Sequence, residues 1–460
     1  MPGANSIRTL MLGLACTAIS ACATSSMNDE ANAKHARNVI LFIGDGMGVS
    51  TVTAMRIYAG QLEGMPGEEY ILPFEAFENV ALVKTYNTNQ QVPDSAGTAS
   101  AMHTGLKTRA GVMNVGPDAR RANCAEAKAN ELDTFGNAAV ARGKAVGIVS
   151  TARITHATPA SVYAQTPERN WEAQSELSEE AIANGCEAIA TQLLGYTFDV
   201  ALGGGKSKFT DEALTAWQSE TGGTLALTKD EMDAASSDAP LLGLFSRSHM
   251  TYELEKDAAS SEPSLAEMTL AALNRLEKNS ENGYYLLVEG GRIDHGHHQG
   301  RAALALAEGK AFADAVEAAV GAVDANETMI LVTADHSHVF TIAGYPTRGN
   351  PILGLAIGND ASGEPSGEPI LANDGHPYTT LGYYNGPGAV EGPRGAPSTD
   401  PTAPQQALVP TGNGQWTSET HAGEDVALYA TGPGAGRVRG VMEQNLIYNV
   451  MIDAFGWERE

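Results

Sequence analysis

The sequence predicts an α/β fold, a three-layer sandwich with helices on both faces of a mostly parallel central sheet. Two observations support this fold class. Short, uninterrupted apolar runs recur along the chain, as is typical of strands buried on both faces of a parallel sheet. Stretches with apolar residues at helical spacing lie between these runs, and strands that alternate with helices indicate an α/β sandwich.

The predicted strands and helices follow one another from residue 38 onward. The first apolar run, Asn38 to Ile43, is followed by Gly44-Asp45-Gly46, which places an acidic residue at a strand end. Later strands are predicted at Ala145 to Val149, Asp199 to Leu202, Tyr284 to Val288 and Met329 to Val332. Helices are predicted at Leu265 to Leu276 and at Gln299 to Val320, where apolar residues recur at helical spacing at Leu304, Ala305, Phe312, Ala315, Val316 and Val320.

The composition indicates one large domain. The chain has 460 residues, 43% of them apolar, which excludes a disordered or fibrous protein. A single catalytic domain over residues 38–460 is favoured, because α/β enzymes commonly run long as one unit. Residues 360–418 are rich in Gly, Pro, Asn, Ser and Thr, and we expect them to form an inserted, loop-rich subdomain with short strands such as Thr379 to Tyr384. The core then resumes with a strand at Asp425 to Tyr429.

Residues 1–21 have the pattern of a secretory signal peptide, with Arg8, an apolar run and small residues before Cys22. The run is too short for a permanent membrane span. Ile19 to Cys22 resembles a bacterial lipobox, in which the cysteine is lipidated and becomes the mature N-terminus; residues 22–37 would then be a linker. Ordinary cleavage after a small residue is the alternative. We therefore expect an exported protein, a periplasmic or cell-envelope lipoprotein, that meets a membrane only through its lipid.

Two cysteines, Cys124 and Cys186, remain outside this leader. In an oxidising compartment they suggest one disulfide, which would contribute roughly 4 kcal/mol in the chain-entropy model. Two buried thiols are the alternative.

The formal net charge of −26 restricts the possible partners. Such a surface repels phosphate backbones and offers no basic patch, which argues against nucleic-acid binding as the main role. If the protein handles an anionic substrate, local positive charge must come from metal ions or from a few arginines.

Six of the eleven histidines lie in three short windows that also contain acidic residues. These windows are Glu289 to His298, with Asp294, His295, His297 and His298; Asp335 to His338, with His336; and His421 to Asp425. Two windows directly follow apolar strands, at the strand ends where α/β ligand sites form. Asp294 and His298 are four residues apart, so one helical turn would direct both side chains to one point.

Nitrogen and carboxylate ligands without thiolates favour zinc with an open coordination position, which is typical of a catalytic site. A hydrogen-bonded polar cluster without metal is the alternative. Within the set, His297 and His338 are candidates for supporting the ligands rather than binding the metal.

Ser95 lies in Pro93-Asp94-Ser95-Ala96-Gly97-Thr98, before small residues that can begin a helix. A serine at a helix N-terminus lies where backbone N–H groups stabilise an anion. Taken alone, Ser95 would be interpreted as an N-cap. Because no Gly-x-Ser-x-Gly elbow is present, a Ser-His-Asp triad is disfavoured. A metal ion can instead deprotonate the serine.

From about Asn38 to the C-terminus, the sequence resembles the alkaline phosphatase family. The motifs that carry this resemblance occur in the family's order, namely Gly44 to Gly48, Pro93 to Thr98, Thr333 to Ser337 and Thr420 to Asp425. The resemblance implies hydrolysis of small phosphate monoesters through a phosphoserine, with two zinc ions and one magnesium ion. It also implies a crown-like form for the inserted subdomain and a homodimer.

The resemblance assigns roles residue by residue. Ser95 matches the nucleophile, and Arg169, within Glu168 to Trp171, matches the arginine that grips two phosphate oxygens; Asp94 and His295 are also expected at the substrate. The metal ligands carried over are Asp294, His298 and His421 for the first zinc, Asp45, Asp335 and His336 for the second, and Asp45, Thr158 and Glu289 for magnesium.

Two positions resemble the animal-type enzymes more than the best-known bacterial form. These are His156, expected beside the magnesium ligands, and His295. Cys124 and Cys186 also match the first disulfide of the animal-type enzymes. Their calcium-like fourth site is doubtful here, because Ser246 follows Phe245 where a carboxylate is expected, although Glu262 remains available.

Two other functions share part of this pattern. A two-zinc phosphodiesterase would share the zinc ligands but has no need of Thr158, Glu289 or Arg169. A non-enzymatic, metal-sequestering surface lipoprotein would need the ligands but neither Ser95 nor Arg169.

Overall fold

The computed structural model describes residues 35–411 and 417–459. The expected signal peptide and Cys22 lie outside these residues. Within them, no helix combines the length and the apolarity that a membrane span requires.

The predicted α/β class is confirmed. Its strands are, in chain order, β1 Asn38–Gly44, β2 Asn79–Lys84, β3 Ala145–Arg153, β4 Val200–Gly204, β5 Thr224–Ala226, β6 Leu241–Leu244, β7 Tyr284–Gly290, β8 Thr328–Ala334, β9 Ser337–His338, β10 Phe340–Ile342, β11 Ile357–Asn359, β12 Pro365–Pro369, β13 Leu381–Asn385, β14 Ala407–Val409, β15 His421–Ala422, β16 Val426–Thr431 and β17 Gly440–Glu443.

Ten of these strands form the central sheet, in the order β17-β2-β16-β8-β1-β7-β3-β4-β6-β5. Neighbours are parallel throughout, except that β16 runs antiparallel to both β2 and β8. In the centre, β1, β7 and β8 are buried along their whole length, which explains why they read as uninterrupted apolar runs.

The helices are α1 Val49–Leu62, α2 Ser95–Thr104, α3 Cys124–Lys128, α4 Phe135–Ala141, α5 Ala157–Ala160, α6 Glu179–Ala183, α7 Ile189–Gly195, α8 Asp211–Thr221, α9 Lys229–Ala234, α10 Leu265–Asn279, α11 Arg292–His298, α12 Ala302–Ala322 and α13 Leu446–Phe455. Single 3-10 turns occur at Pro73–Ala76, Gln174–Glu176, Lys206–Lys208, Glu253–Glu255 and Ala435–Arg437.

Helices cover both faces of the sheet. On one face, Phe42 of β1 contacts Phe312 of α12, with ring centroids 5.9 Å apart. Tyr285 of β7 contacts Phe135 of α4 at 4.8 Å. Phe42 pairs with Val288, three residues beyond Tyr285, and successive strand residues alternate between faces. The two aromatic contacts therefore lie on opposite faces, which makes three layers.

The predicted helix at Gln299 to Val320 begins three residues late, at Ala302. Gly300 has a φ of +63°, a left-handed conformation that separates the short α11 from α12. Val320, although at helical spacing with the core residues, is 43% exposed, because it lies at the edge of the buried stripe near the end of the helix.

Between β8 and β16 the chain leaves the central sheet. Here β10, β13 and β14 form a small sheet, β11 pairs with β12, and β9 pairs with β15. The predicted strand at Thr379 to Tyr384 is β13, and the small sheet also includes β10, which precedes residue 360. The β9–β15 ladder pairs Ser337 with Ala422 and His338 with His421. It therefore joins the start of the segment, just after β8, to its end, just before β16.

Candidate active site

The site lies at the carboxyl ends of the three central strands. Ile43 of β1 is in register with Glu289 of β7 and with Thr333 of β8. Asp45 follows β1 directly, and Asp335 follows β8. Because these strands are parallel and adjacent, the acidic side chains after them meet at one edge of the sheet.

The first cluster contains Asp294, His298 and His421. The Nε2 atoms of His298 and His421 lie 3.2 and 3.3 Å from Asp294 Oδ1 and 3.1 Å from each other. Asp294 and His298 are separated by one turn of α11, as the sequence spacing predicted, and β15 supplies His421. Three ligand atoms therefore converge on one point.

The second cluster contains Asp45, Asp335 and His336. His336 Nε2 lies 3.4 Å from Asp45 Oδ1 and 3.3 Å from Asp335 Oδ2. Gly46 donates its N–H to Asp335 Oδ1 at 2.9 Å. A Cβ on Gly46 would lie 2.3 Å from the His338 imidazole, so only glycine fits in this turn.

A third cluster surrounds the second carboxylate oxygen of Asp45. Four buried polar atoms there have no hydrogen-bond partner among the described residues: Asp45 Oδ2, His156 Nδ1, Thr158 Oγ1 and Glu289 Oε1. Unpaired buried polar atoms are destabilising. Burial and the neighbouring Asp335 raise the pKa of Asp45, and burial raises the pKa of Glu289 to about 7. These unpaired oxygens fit the preference of a hard divalent cation for oxygen ligands.

Ser95 lies beside the second cluster. Its Oγ is 3.2 Å from His336 Nε2 and 3.5 Å from Asp45 Oδ1, and the residue is 3% exposed. The N-cap of α2 is Asp94, whose side chain accepts the Gly97 N–H. Ser95 is therefore the first helical residue rather than the cap, which leaves its hydroxyl available for chemistry.

Asp94 also holds Arg169. Arg169 Nη1 donates to Asp94 Oδ2 at 3.0 Å, and Nη2 donates to His156 Nε2 at 3.1 Å. Burial alone would raise the pKa of Asp94, but Arg169 and the N–H groups of Gly111 and Gly97 lower it. Asp94 is therefore held as an anion that orients the guanidinium.

His295 lies beside His156. Its Nδ1 accepts a hydrogen bond from Arg292 Nη1 at 3.0 Å, and its ring centroid is 5.7 Å from that of His156. It is part of neither histidine-carboxylate cluster.

The two other histidines of the windows, His338 and His297, differ in their contacts, and His338 lies within ligand distance of Asp294, His336 and His421. His338 bridges Asp294 Oδ1, at 2.8 Å from its Nε2, and Glu419 Oε2, at 2.6 Å from its Nδ1. Against the effect of burial, Glu419 and Asp294 raise the pKa of His338 to about 10. His297 bonds Thr51 and Tyr383 and so ties α11 to α1 and to β13.

Sequence reasoning missed two residues of the site. Glu419 is 1% exposed and also accepts the Val339 N–H at 2.9 Å; its position two residues before His421 is the only signal in the sequence. His249 lies in no motif, yet its ring centroid is 4.2 Å from that of His295 and 5.3 Å from that of His156.

The residues considered for a fourth, calcium-like site are engaged otherwise. Both carboxylate oxygens of Glu262 accept hydrogen bonds from Thr251, at 2.8 and 3.0 Å. Ser246 Oγ donates to the His249 carbonyl at 2.8 Å. Among residues 35–411 and 417–459, no cluster of candidate metal ligands contains Glu262.

A cavity of about 510 Å³ opens onto the first cluster. It is lined by Gln90, Val92, Pro93, Asp94, His298, Thr411, Ser418, Glu419, Thr420 and His421.

The predicted disulfide between Cys124 and Cys186 is confirmed, with Cα atoms 5.9 Å apart. It packs with Trp171 and Leu177 in a small core of its own, next to the segment that carries Arg169.

Comparison with known proteins agrees with this geometry. The family profile described as alkaline phosphatase matches residues 36–456. The tissue-nonspecific isozyme of alkaline phosphatase from Gallus gallus is 42% identical over 91% of this chain and 84% of its own length. An alkaline phosphatase from Gadus morhua is 41% identical over 91% of this chain and 92% of its own length. The crystal structure of Thermus thermophilus alkaline phosphatase is 26% identical, with a TM-score of 0.67 over 93% of each chain. The chain therefore belongs to the alkaline phosphatase family.

Proposed function

We propose that this alkaline phosphatase hydrolyses phosphate monoesters in two displacements, with Ser95 as the nucleophile and a phosphoserine as the intermediate. One observation carries the proposal: the Ser95 hydroxyl lies 3.2 Å from His336 Nε2, beside the second ligand cluster. Ser95 also begins α2, whose N-cap Asp94 holds Arg169. A metal-sequestering protein has no need of that combination.

The residues present fit two zinc ions and one magnesium ion. Asp294, His298 and His421 would hold one zinc, and Asp45, Asp335 and His336 the other; Asp45, Thr158 and Glu289 would hold magnesium. When bound, such ions supply positive charge and lower the pKa of coordinated hydroxyl groups. The mixed nitrogen and oxygen donors suit zinc, and the unpaired oxygens of the third cluster suit magnesium.

The protein's own groups provide orientation and charge. Arg169 donates one hydrogen bond from Nη1 to Asp94 and one from Nη2 to His156. Each of these nitrogens keeps a second N–H, so the guanidinium can donate two parallel hydrogen bonds to phosphate oxygens. Ser95 Oγ releases its proton to water and bonds to phosphorus as the bond from phosphorus to the alcohol oxygen breaks, and the alcohol oxygen takes up a proton from water. A water molecule then attacks phosphorus, the bond from phosphorus to Ser95 Oγ breaks, and one proton of that water returns to Oγ as inorganic phosphate leaves.

The test compares a chromogenic phosphate monoester with the corresponding diester, and measures zinc and magnesium on the same protein. We expect turnover of the monoester and little of the diester, with about two zinc ions and one magnesium ion per chain. Preferential diester turnover would favour a phosphodiesterase. Bound metal without turnover of either substrate would favour a metal-sequestering protein.

We also propose a homodimer. Its support is the family and the distribution of exposed apolar side chains, because several large ones lie between β10 and β14, among them Tyr345 (94% exposed), Leu371, Tyr384, Val390 and Leu408. Large exposed apolar surfaces commonly mark interfaces. Light scattering coupled to size exclusion should give about twice the 48.0 kDa of one chain. A single-chain mass would refute the proposal.

We further propose export, with a lipid on Cys22. The leader pattern and the Cys124–Cys186 disulfide support it, because disulfides persist in oxidising compartments. Mass spectrometry of the mature N-terminus should find a diacylglycerol-modified Cys22, and processing should be sensitive to globomycin. An unmodified N-terminus would refute the lipid.

A further inference from the structure

Arg292, the first residue of α11, has no role in the proposed chemistry. Its Nη1 donates to His295 Nδ1 at 3.0 Å. Its guanidinium stacks on the Tyr252 ring, 3.6 Å from the centroid. Within residues 35–411 and 417–459 no carboxylate forms an ion pair with it, and its buried Nε has no hydrogen-bond partner. In a chain with a net charge of −26, such an arginine beside the active site requires an explanation.

The hydrogen bond to His295 determines which ring nitrogen carries the proton. A guanidinium has five N–H donors and no acceptor. His295 Nδ1 must therefore accept, with its lone pair directed at Arg292. A neutral imidazole has one proton, so that proton lies on Nε2. Arg292 thereby makes His295 a hydrogen-bond donor through Nε2.

Arg292 is itself held in place. Tyr252 is 3% exposed, and its hydroxyl accepts a hydrogen bond from Gln299 Nε2 at 2.8 Å, one residue beyond α11. His249, three residues before Tyr252, places its ring 4.2 Å from that of His295. The segment from His249 to Tyr252 thus packs against both partners of the Arg292–His295 hydrogen bond.

We infer that Arg292 is a positioning residue that keeps His295 in the Nε2–H tautomer, so that this imidazole donates a hydrogen bond to the phosphoryl group of the substrate. The inference rests on the proposed function, because it takes the phosphoryl group to bind beside Arg169 and His156, next to the His295 ring.

The experiment combines a spectroscopic and a kinetic measurement on the metal-loaded protein. The protein is labelled with ¹⁵N at the histidine rings, and the His295 signals are identified by their loss in His295→Asn. Wild type should show Nε2–H for His295. Arg292→Met, which keeps an unbranched apolar stem but no donor, should give a mixture of tautomers. Its KM and its inhibition constant for inorganic phosphate should both rise about tenfold, the effect of about 1.4 kcal/mol, with a smaller change in kcat.

Two variants serve as controls. Arg292→Lys keeps a donor with no acceptor and should retain the Nε2–H tautomer, which separates the need for a donor from the need for a planar guanidinium. Arg142 stacks on Trp457 at 4.7 Å, away from the site, so Arg142→Met removes a similar contact and should leave the inhibition constant for phosphate unchanged.

Three results would overturn the inference. These are Nδ1–H for His295 in the wild type, an unchanged tautomer in Arg292→Met, and a changed tautomer with an unchanged inhibition constant. The first result requires the wild type and His295→Asn but does not depend on whether Arg292→Met folds. Failure of the proposed function would look different, because wild type itself would then not turn over the monoester while the tautomer could still be observed.

Discussion

At the scale of single residues, Asp94 carries two functions in one carboxylate. Oδ1 accepts the Gly97 N–H at 3.1 Å and the Asn87 side-chain amide at 3.0 Å; Oδ2 accepts the Gly111 N–H at 2.9 Å and Arg169 Nη1 at 3.0 Å. The first oxygen fixes the start of α2 and thus Ser95, and the second fixes Arg169. One side chain therefore sets the distance between Ser95, the proposed nucleophile, and the Arg169 guanidinium, which we propose binds phosphate.

Ser95→Ala should abolish the covalent route while preserving the metal clusters. No ligand atom is removed, so bound zinc should be unchanged, and turnover of a phosphate monoester should fall by several orders of magnitude. The measurement is steady-state turnover together with metal content. Thr104→Ala, at the far end of α2, is the matched control, because the Thr104 hydroxyl donates to the Ser100 carbonyl of the same helix, and its turnover should fall much less. A full burst of product from Ser95→Ala would show that another group is the nucleophile.

Arg169→Ala should weaken the binding of inorganic phosphate by about 1.5 to 3 kcal/mol, the range for charge-assisted hydrogen bonds. It also leaves the buried carboxylate of Asp94 without its cation. Competitive inhibition by phosphate measures the loss. Arg169→Lys should recover only part of it, because an ammonium lacks the planar fork. An inhibition constant equal to that of the wild type would assign phosphate binding to another group.

The site residues that local sequence predicts are those that follow a strand or lie one helical turn apart. Asp45, Asp335 and Asp294 with His298 are of this kind, and the structure brings each into a cluster. Glu419 and His249 could not be recognised in the same way, because they reach the site through tertiary contacts with residues distant in the sequence, such as His338 for Glu419 and His156 for His249. Arg292 lies within the window from Glu289 to His298, but its sequence position alone does not indicate its hydrogen bond to His295.

At the scale of elements, burial on both faces explains why the central strands could be recognised. The fully buried β1, β7 and β8 are apolar over most of their length and were predicted. In contrast, β2 alternates between buried and exposed residues, and β17 has no fully buried residue; neither was predicted. Strands at the edge of the sheet, such as β17, or next to it, such as β2, carry a weaker signal because only part of their surface meets the core.

Helix α12 contains a buried acid with a consequence for stability. Glu308 is 3% exposed and accepts the Glu253 N–H at 2.7 Å, and burial raises its pKa to about 7. Between about pH 4.5 and 7 the folded protein then binds more protons at this site than the unfolded chain, so the contribution to stability falls as pH rises through this window.

Glu308→Gln should remove this dependence, because the amide keeps the acceptor and has no charge. Relative to wild type, the variant should be more stable at pH 8 by up to roughly 3 kcal/mol, at about 1.4 kcal/mol per pKa unit, with a smaller difference at pH 5. Chemical denaturation of both proteins at pH 5 and pH 8 measures this difference in the free energy of unfolding. Glu317→Gln, which removes an exposed carboxylate from the same helix, is the matched control for the loss of a charge. Equal differences at both pH values would contradict the argument.

At the scale of the whole molecule, the disulfide should stabilise the fold by restricting the unfolded chain. Its cysteines are 62 residues apart, for which the chain-entropy model gives about 4 kcal/mol. Replacing both, Cys124→Ser with Cys186→Ser, should lower the free energy of unfolding by up to that amount in chemical denaturation. Reductant should produce the same shift in wild type and no further shift in the variant. An equal stability of both proteins would indicate strain in the bridge.

The two-residue β9–β15 ladder has a consequence for how this enzyme can change. It joins the ends of the segment between β8 and β16, with His338 on one strand and His421 on the other. Because the ends are already fixed, lengthening the intervening chain adds little entropy cost, about 0.6 kcal/mol for each doubling of a flexible loop. The outer part of the segment can therefore change in length at little cost in free energy, while the ladder keeps His338 paired with His421 at its base.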